Sequence, residues 1–166
     1  MKDKVKVRNI GVAGSTGSIG TQTLEVVRRS KGSLNVSFLS CNNSIELMAE
    51  QIIEFFPDAV SLPNREKADL LRTVILHKIE KSNSDFLKNF SSKDIPEILI
   101  GEEGMREGVS KGNFEVLING IMGIAGLAPT YFAVKSGKNV ALANKEALVA
   151  GGHIIMPDRK STRLNS

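Results

Sequence analysis

Three glycines spaced three residues apart give the sequence its clearest chemical signal. Gly14, Gly17 and Gly20 form the segment GSTGSIG, which follows an apolar run over 5–13 and precedes a helix-like segment over 21–29. The start of a helix presents free backbone N–H groups and the positive end of the helix dipole, so it can bind phosphate without a basic side chain. The pattern therefore predicts a dinucleotide pyrophosphate site where the first strand passes into the first helix.

Each glycine of this series has its own steric role. Gly14 permits a tight turn, Gly17 removes the Cβ that would collide with a pyrophosphate, and Gly20 lets the helix pack closely on the strand. The spacing is Gly-x-x-Gly-x-x-Gly rather than the commoner Gly-x-Gly-x-x-Gly, and no Gly-Lys-Ser/Thr ending follows. The sequence therefore argues against a nucleotide triphosphatase loop. A glycine-rich turn that binds no ligand stays open as an alternative.

A polar segment at the end of the second predicted strand bears on the choice of dinucleotide. Residues 41–44 (CNNS) follow that strand, and the first acid after them is Glu46. An acidic residue here would hold the ribose 2′-hydroxyl of NAD, whereas a 2′-phosphate needs hydrogen-bond donors and no nearby negative charge. The asparagine and serine side chains are donors, so the segment favours NADP, although it contains no Arg or Lys. The same residues would also cap a helix over 45–56, and the two interpretations are compatible.

Two further loops follow predicted strands in the second half of the chain. A second glycine-rich turn over 120–126 follows a predicted strand over 114–119, and the segment Asn144-Lys145-Glu146 follows the last predicted strand. Lys145 would bind a substrate phosphate or carboxylate, Asn144 would donate to the cofactor, and Glu146 would accept from a ribose or the nicotinamide amide. A capped helix start with a solvated charged pair is the alternative for this segment.

The apolar patterning predicts strands and helices in alternation. Strands are predicted over 4–13, 34–40, 59–62, 97–100, 114–119 and 139–143, and helices over 21–30, 45–56, 64–80, 101–110 and 129–136. The irregular polar stretch 81–96 is predicted to leave the core. This order predicts an α/β fold with a doubly wound, mostly parallel, Rossmann-like sheet. Because ligands bind outside the carboxyl ends of such strands, the two glycine-rich loops predict one crevice.

Composition limits the other classes of function. The 166 residues are 41% hydrophobic and 24% charged, which predicts one soluble globular domain. No apolar run approaches the roughly 20 residues that span a bilayer. The net charge of +4 is spread along the chain, with one Tyr and no Trp, so neither nucleic acid nor a membrane is expected as a partner. The single cysteine, Cys41, excludes an internal disulfide and fits a reducing, cytoplasmic compartment.

Three segments in order resemble one enzyme family. They are GSTGSIG at 14–20, GIAGLAPT at 123–130 and ALANKEALV at 141–149. Together they resemble 1-deoxy-D-xylulose 5-phosphate reductoisomerase, and residues 6–157 look like its amino-terminal NADPH-binding domain. The resemblance implies conversion of that phosphosugar to 2-C-methyl-D-erythritol 4-phosphate, with NADPH and a divalent metal (magnesium or manganese), in non-mevalonate isoprenoid biosynthesis. It also implies a bacterial cytoplasmic enzyme that is a homodimer at full length.

The resemblance assigns roles to particular residues. It places NADPH at Thr16, Gly17, Ser18 and Ile19 (its pyrophosphate region) and at Asn144 and Glu146, and it places the substrate at Lys145. The family often has Gly-Lys/Arg/Asn-Asn after its second strand, and the corresponding cofactor-site residues here are Cys41, Asn42 and Asn43. Cys41 stands where the family has glycine and Asn42 where a cation is frequent, whereas Asn43 matches. We expect Cys41 to be buried and unreactive.

The chain is expected to hold only part of this enzyme. The family's metal site is an Asp-Ser-Glu group soon after the Asn-Lys-Glu segment, completed by a more distant Glu, and neither occurs in this chain. No carboxylate is therefore assigned to a metal. Residues 1–157 are expected to form an NADPH-binding domain that does not turn over substrate. Residues 158–166 (DRKSTRLNS) match the translation of a common sequencing-library adapter, so we expect them to be a non-native tail.

Two other functions stay open on sequence alone. One is another NADP-dependent oxidoreductase of amino-acid metabolism, such as a semialdehyde dehydrogenase or dihydrodipicolinate reductase, whose first loops are similar. A semialdehyde dehydrogenase would need a nucleophilic cysteine and a partner histidine downstream, and Cys41 lies instead at the end of the second predicted strand. The other is a catalytically silent nucleotide-binding module.

Overall fold

Strands and helices alternate in the computed structural model, which describes residues 7–81, 94–143, 145, 146 and 149 and the backbone of 164–165. The strands are β1 (Arg8–Ala13), β2 (Leu34–Ser40), β3 (Ala59–Leu62), β4 (Glu97–Ile100), β5 (Val116–Asn119), β6 (Asn139–Leu142) and β7 (Leu164–Asn165). The helices are α1 (Ser18–Arg29), α2 (Ile45–Phe55), α3 (Arg65–Lys81), α4 (Gly101–Lys111) and α5 (Leu127–Lys135), with a 3₁₀ turn at Gly123–Gly126. Within this described part, no helix is both long enough and apolar enough to cross a membrane.

Neighbouring strands of the sheet are all parallel. Their spatial order is β4-β3-β2-β1-β5-β6-β7, so β1 lies between β2 and β5. The chain therefore winds outward from β1 to β4 on one side and starts again with β5 on the other. The carboxyl ends of β1 and β5 lie where the strand order reverses, which is where open α/β sheets bind ligands. The predicted parallel α/β sheet is confirmed.

Buried side chains form two cores, one on each face of the sheet. The first core packs β1 to β3 against α1, α2 and α3, and its members include Ile10, Val12, Leu24, Met48 and Leu71. The second core packs the sheet against α4 and α5, and its members include Ala13, Phe38, Val109, Leu117 and Ala133. Because successive side chains of a strand point to opposite faces, Val12 and Ala13 serve different cores. Helices therefore cover both faces, as the doubly wound prediction required.

Some element boundaries differ from the sequence-based expectation. Helix α1 begins at Ser18 rather than residue 21, and α5 begins at Leu127 rather than residue 129. The first backbone N–H groups of a helix have no partner within it, so the earlier start of α1 brings those groups up to the glycine series. Most of the predicted excursion 81–96 lies outside the described residues. Strand β7 pairs with β6 in a segment for which no element was predicted.

Adjacent leucines on α3 offer a matched test of the first core. Leu71 is 0% exposed and Leu70 is 50% exposed. Leu71→Ala leaves a cavity and is expected to lower the free energy of unfolding by about 2–5 kcal/mol. Leu70→Ala removes mostly solvated surface and is expected to cost less than about 1 kcal/mol. Urea denaturation followed by circular dichroism measures both, and equal losses would contradict the packing of α3 on the sheet.

Candidate nucleotide-binding site

A cleft of about 570 Å³ crosses the carboxyl ends of strands β1 to β5. Its lining includes five of the residues predicted to bind the cofactor, namely Thr16, Gly17, Cys41, Asn42 and Asn43. The second glycine-rich loop lines the same cleft through Gly120, Ile121 and Met122. The structure thus brings the two glycine-rich loops and the polar segment after β2 to one place.

The lining of this cleft, as far as the structure describes it, carries no charged side chain. It consists of backbone groups, hydroxyl and amide side chains, and apolar surface. Hydroxyl, amide and backbone N–H donors can bind phosphate oxygens, and no carboxylate of this lining repels them. The described lining therefore offers neutral donors that can bind an anionic ligand.

Helix α1 approaches the glycine series closely because Gly20 has no side chain. Gly14 has a φ of 75°, a left-handed conformation that glycine adopts freely, and it turns the chain out of β1. A Cβ at Gly20 would lie closer than 3.0 Å to the carbonyl oxygen of Gly14 and to the Cα of Ser15. The sequence suggested that Gly20 lets α1 pack closely on the strand. In the structure, Gly20 instead lets α1 pack on the loop itself. Gly17 forms the N-cap, and Ser18 and Ile19 begin the helix beside the cleft lining.

A buried hydrogen-bond network fixes the first loop to β2 and α2. Ser15 Oγ donates to Gln51 Oε1 at 2.6 Å, and Gln51 Nε2 donates to the Ser15 carbonyl oxygen at 3.0 Å. The N–H of Gly14 donates to Ser40 Oγ at 3.0 Å, and the N–H of Ser15 donates to the Ser40 carbonyl oxygen at 2.8 Å. Ser15, Ser40 and Gln51 are at most 2% exposed. Because buried polar groups need partners, the network specifies a single loop conformation.

Asn119, at the end of β5, holds the second glycine-rich loop. Its Nδ2 donates to the Gly126 carbonyl oxygen at 2.7 Å and to Thr130 Oγ1 at 2.8 Å, and its Oδ1 accepts from the Ile121 N–H at 3.1 Å. The side chain is 0% exposed. The two loops also touch, since a Cβ at Gly14 would lie 3.0 Å from Ile121 Cγ1. They therefore form one continuous wall of the cleft.

The segment after β2 combines a buried thiol with exposed amides. Cys41 is 7% exposed, and burial raises the pKa of its thiol to about 12, while the charge of Lys67 acts in the opposite direction. Asn42 and Asn43 are exposed. Lys67 of α3 reaches this segment, where its Nζ donates to the Asn42 carbonyl oxygen at 2.6 Å and to Asn43 Oδ1. The structure thus adds a cation to a segment that has none in its own sequence.

Local sequence patterns did not identify three of the residues that shape the cleft. Lys67 lies 24 positions from Asn43, and no motif links the two. Ser40 and Gln51 were also missed. A signal for Gln51 was present, because this glutamine interrupts the apolar face of α2, whose other buried residues are Ile45, Met48, Ala49 and Ile52.

The polar segment after β6 does not contribute to the described cleft lining. Lys145 and Glu146 are helical and exposed, and neither lines the cleft. Asn144 lies outside the described residues. The cofactor and substrate roles of these three residues stay predictions.

Acidic side chains in the described part do not form a cation site. Over residues 7–81 and 94–143, no three His, Cys, Asp or Glu side chains lie close enough together to hold a metal ion. Several of the acids form surface ion pairs instead, such as Glu54 with Arg28 and Glu103 with Arg106. A divalent ion needs several oxygen ligands around one point. The described residues therefore do not fit such an ion.

Comparison with known sequences finds one family. A family model described as 1-deoxy-D-xylulose 5-phosphate reductoisomerase matches residues 10–152. Proteins of that name from Microcystis aeruginosa and Chlorobium phaeobacteroides are 40% and 41% identical over 151 and 150 residues. These matches cover 91% and 90% of this chain but 35% of each relative. The chain therefore spans about a third of the length of these relatives.

Solved structures of 1-deoxy-D-xylulose 5-phosphate reductoisomerases are similar in fold to this chain. A 1-deoxy-D-xylulose 5-phosphate reductoisomerase from Zymomonas mobilis in complex with NADPH matches with a TM-score of 0.76 at 25% identity, covering 93% of this chain and 36% of that chain. A DOX-P reductoisomerase in complex with NADPH, fosmidomycin and magnesium matches with a TM-score of 0.75 at 27% identity. This match covers 93% of this chain and 34% of that chain.

Gln51 offers a test of the network beneath the first loop. Gln51→Ala leaves the Ser15 carbonyl oxygen buried without its side-chain donor, so the free energy of unfolding is expected to fall by about 1–3 kcal/mol. The matched control is Glu50→Ala, which removes an exposed ion pair with Lys78 and is expected to cost less than about 1 kcal/mol. Thermal and urea unfolding measure both. A Gln51→Ala variant as stable as wild type would show that the network does not hold the loop.

Cys41 is expected to react slowly with iodoacetamide at pH 8 while the chain is folded. The thiolate is the reactive form, and a pKa of about 12 keeps this thiol protonated. Unfolding in urea returns the thiol pKa to about 8.5 and should accelerate alkylation. Since the folded pKa lies above the unfolded one, the stability that this group contributes is present below about pH 8.5 and is lost as the pH rises towards 12. Mass spectrometry of the labelled chain follows the reaction, and rapid labelling of folded protein at pH 8 would contradict this assignment.

Proposed function

Because this chain belongs to the 1-deoxy-D-xylulose 5-phosphate reductoisomerase family, we propose that it forms the part of the enzyme that binds NADPH. One arrangement carries the proposal: the glycine series at the start of α1 and the donors after β2 line the same cleft. A dinucleotide across these strand ends has its pyrophosphate at the helix start and its adenosine ribose at the end of the second strand. The NADPH in the similar Zymomonas mobilis structure supports this choice of ligand.

The first loop is built to accept a pyrophosphate. Within the described part, a Cβ at Gly17 would meet one neighbouring atom, the carbonyl oxygen of Gly14, at 3.4 Å. The space beside Gly17 is otherwise open, which leaves room for a phosphate oxygen. We assign the pyrophosphate contacts to Thr16, Gly17, Ser18 and Ile19. The donors there are the Thr16 hydroxyl and the backbone N–H groups that begin α1, so binding needs no basic side chain.

In this proposal, the polar segments after β2 and β6 bind the parts of NADPH outside the pyrophosphate, and the segment after β6 also binds the substrate. Asn42 and Asn43 bind the adenosine ribose and its 2′-phosphate, and buried Cys41 supports their loop. Asn144 and Glu146 contact NADPH, and Lys145 contacts the phosphosugar. Strand β6 is parallel to β5, so Lys145 and Glu146 follow the strand at the same edge of the sheet as the cleft. NADPH supplies a hydride when bound, and these residues orient it.

For the complete protein we propose the reaction of the family, which rearranges and reduces 1-deoxy-D-xylulose 5-phosphate to 2-C-methyl-D-erythritol 4-phosphate. We place this enzyme in the bacterial cytoplasm as a homodimer that uses magnesium or manganese. Because the described residues do not fit a divalent cation, we assign the metal to none of them. Residues 1–157 then bind NADPH without turnover. We keep 158–166 outside this unit, although β7 pairs with β6, because the family match ends at residue 152.

The structure gives no support to a semialdehyde dehydrogenase. That chemistry needs a reactive cysteine thiolate, whereas the thiol of Cys41 is buried and its pKa is raised to about 12. A silent nucleotide-binding module would share the cleft, but the family match favours the reductoisomerase.

Gly17→Ser tests the assignment of the pyrophosphate site. Serine is a favoured N-cap residue, and its Cβ would make an ordinary contact at 3.4 Å, so the urea midpoint should stay at the wild-type value. Its side chain would fill the space assigned to the phosphate and is expected to raise the Kd for NADPH by about tenfold or more. Isothermal titration calorimetry measures the affinity. Wild-type affinity in a folded Gly17→Ser variant would place the pyrophosphate elsewhere, and no heat with the wild-type chain would refute NADPH binding.

A further inference from the structure

We infer that Lys67 of α3 supplies the positive charge that recognises the adenosine 2′-phosphate and thereby sets the preference for NADPH over NADH. The inference rests on the proposed function. Residues 41–44 follow β2, where dinucleotide folds distinguish the two cofactors, and they contain no Arg or Lys. Lys67 lies elsewhere in the sequence, and the packing of α3 beside this segment brings its ammonium group there.

Helix α3 holds Lys67 in place before any ligand arrives. Asn64 Oδ1 accepts from the Lys67 backbone N–H at 2.9 Å and so fixes the first turn of the helix. The Lys67 Nζ donates to the Asn42 carbonyl oxygen at 2.6 Å and to Asn43 Oδ1, and both asparagines line the cleft. The Lys67 residue is half-buried. A side chain that is already ordered loses less conformational entropy when it binds a ligand.

The charge of Lys67 is available for a phosphate. Its two partners are a carbonyl oxygen and an amide oxygen, which are both neutral, and the ion pairs of the described residues do not include Lys67. A phosphate oxygen adds the attraction between two opposite charges to the hydrogen bond, whereas a carbonyl or amide oxygen carries no net charge. A 2′-phosphate therefore offers the Lys67 Nζ a better acceptor than either asparagine does.

The acid nearest to this segment in sequence is paired with another lysine. Glu46 lies in the first turn of α2, and its carboxylate is 3.2 Å from Lys78 Nζ. Glu50 Oε1 is 3.0 Å from the same Lys78 Nζ. An acid that faced the ribose would favour the 2′-hydroxyl of NADH and repel a 2′-phosphate. With Glu46 paired to Lys78 and Lys67 next to Asn42 and Asn43, the charges of this region favour NADPH.

Two lysines on one helix provide a matched pair of variants. Lys67→Gln removes the proposed cation, and Lys81→Gln makes the same change 14 positions further along α3, roughly 21 Å away. Calorimetry on the 166-residue chain measures Kd for NADPH, NADH, 2′,5′-ADP and 5′-AMP. Lys67→Gln is expected to raise the Kd for NADPH and for 2′,5′-ADP by about tenfold or more. The Kd for NADH and for 5′-AMP is expected to stay within about twofold of the wild-type value. Lys67→Arg is expected to keep the preference for NADPH, and Lys81→Gln to behave as wild type.

The outcomes separate this inference from the proposed function. A Lys67→Gln variant with the wild-type ratio of NADPH to NADH affinity overturns the inference and leaves the proposed function intact. An equal loss of preference in Lys81→Gln also overturns it, because overall charge would then explain the effect. A wild-type chain that binds neither dinucleotide refutes both. Retained NADH binding in Lys67→Gln shows that this variant is folded.

Discussion

The close contact between α1 and the first glycine loop is the constraint on which the rest of the structure depends. Gly20 has no side chain, so the Gly14 carbonyl and Ser15 lie directly against the first turn of the helix. Any side chain there would push the helix away from the loop. Because β1 lies between β2 and β5, this contact puts the start of α1 at the reversal of strand order. The helix N–H groups and the crevice of the sheet are therefore in one place.

Buried polar side chains keep the two walls of the cleft in position. Ser15, Ser40 and Gln51 fix the first loop, and Asn119 fixes the second. Each of these side chains is at most 2% exposed, so each hydrogen bond lies in an environment where an unmade bond would be costly. The loops that line the cleft are therefore held from beneath and not by contacts within the lining. A site that is ordered in advance spends less binding energy on ordering its loops.

The proposed recognition of NADPH has two physical components with different origins. The pyrophosphate is bound by backbone groups at a helix start, which depend on loop geometry and little on side-chain identity. The 2′-phosphate needs charge, and the cation proposed for it, Lys67, lies on α3 and not in the segment after β2 that it contacts. In this proposal, Lys67 takes the place of the cation that the family often has at the position of Asn42. The chemistry of a complete reductoisomerase also needs metal ligands, which the described residues do not provide.

The sequence by itself determined the alternation of strands and helices and the glycine turn at Gly14. These features are local, because they follow from backbone sterics and from the period of apolar residues. The tertiary structure alone decided that Gln51 meets Ser15, 36 positions away, and that Lys67 meets Asn43, 24 positions away. Periodicity shows which face of a helix is buried but not which strand it packs on, and strand order decides that. Contacts between elements, including the contact that brings Lys67 to the proposed cofactor site, could therefore be known only from the fold.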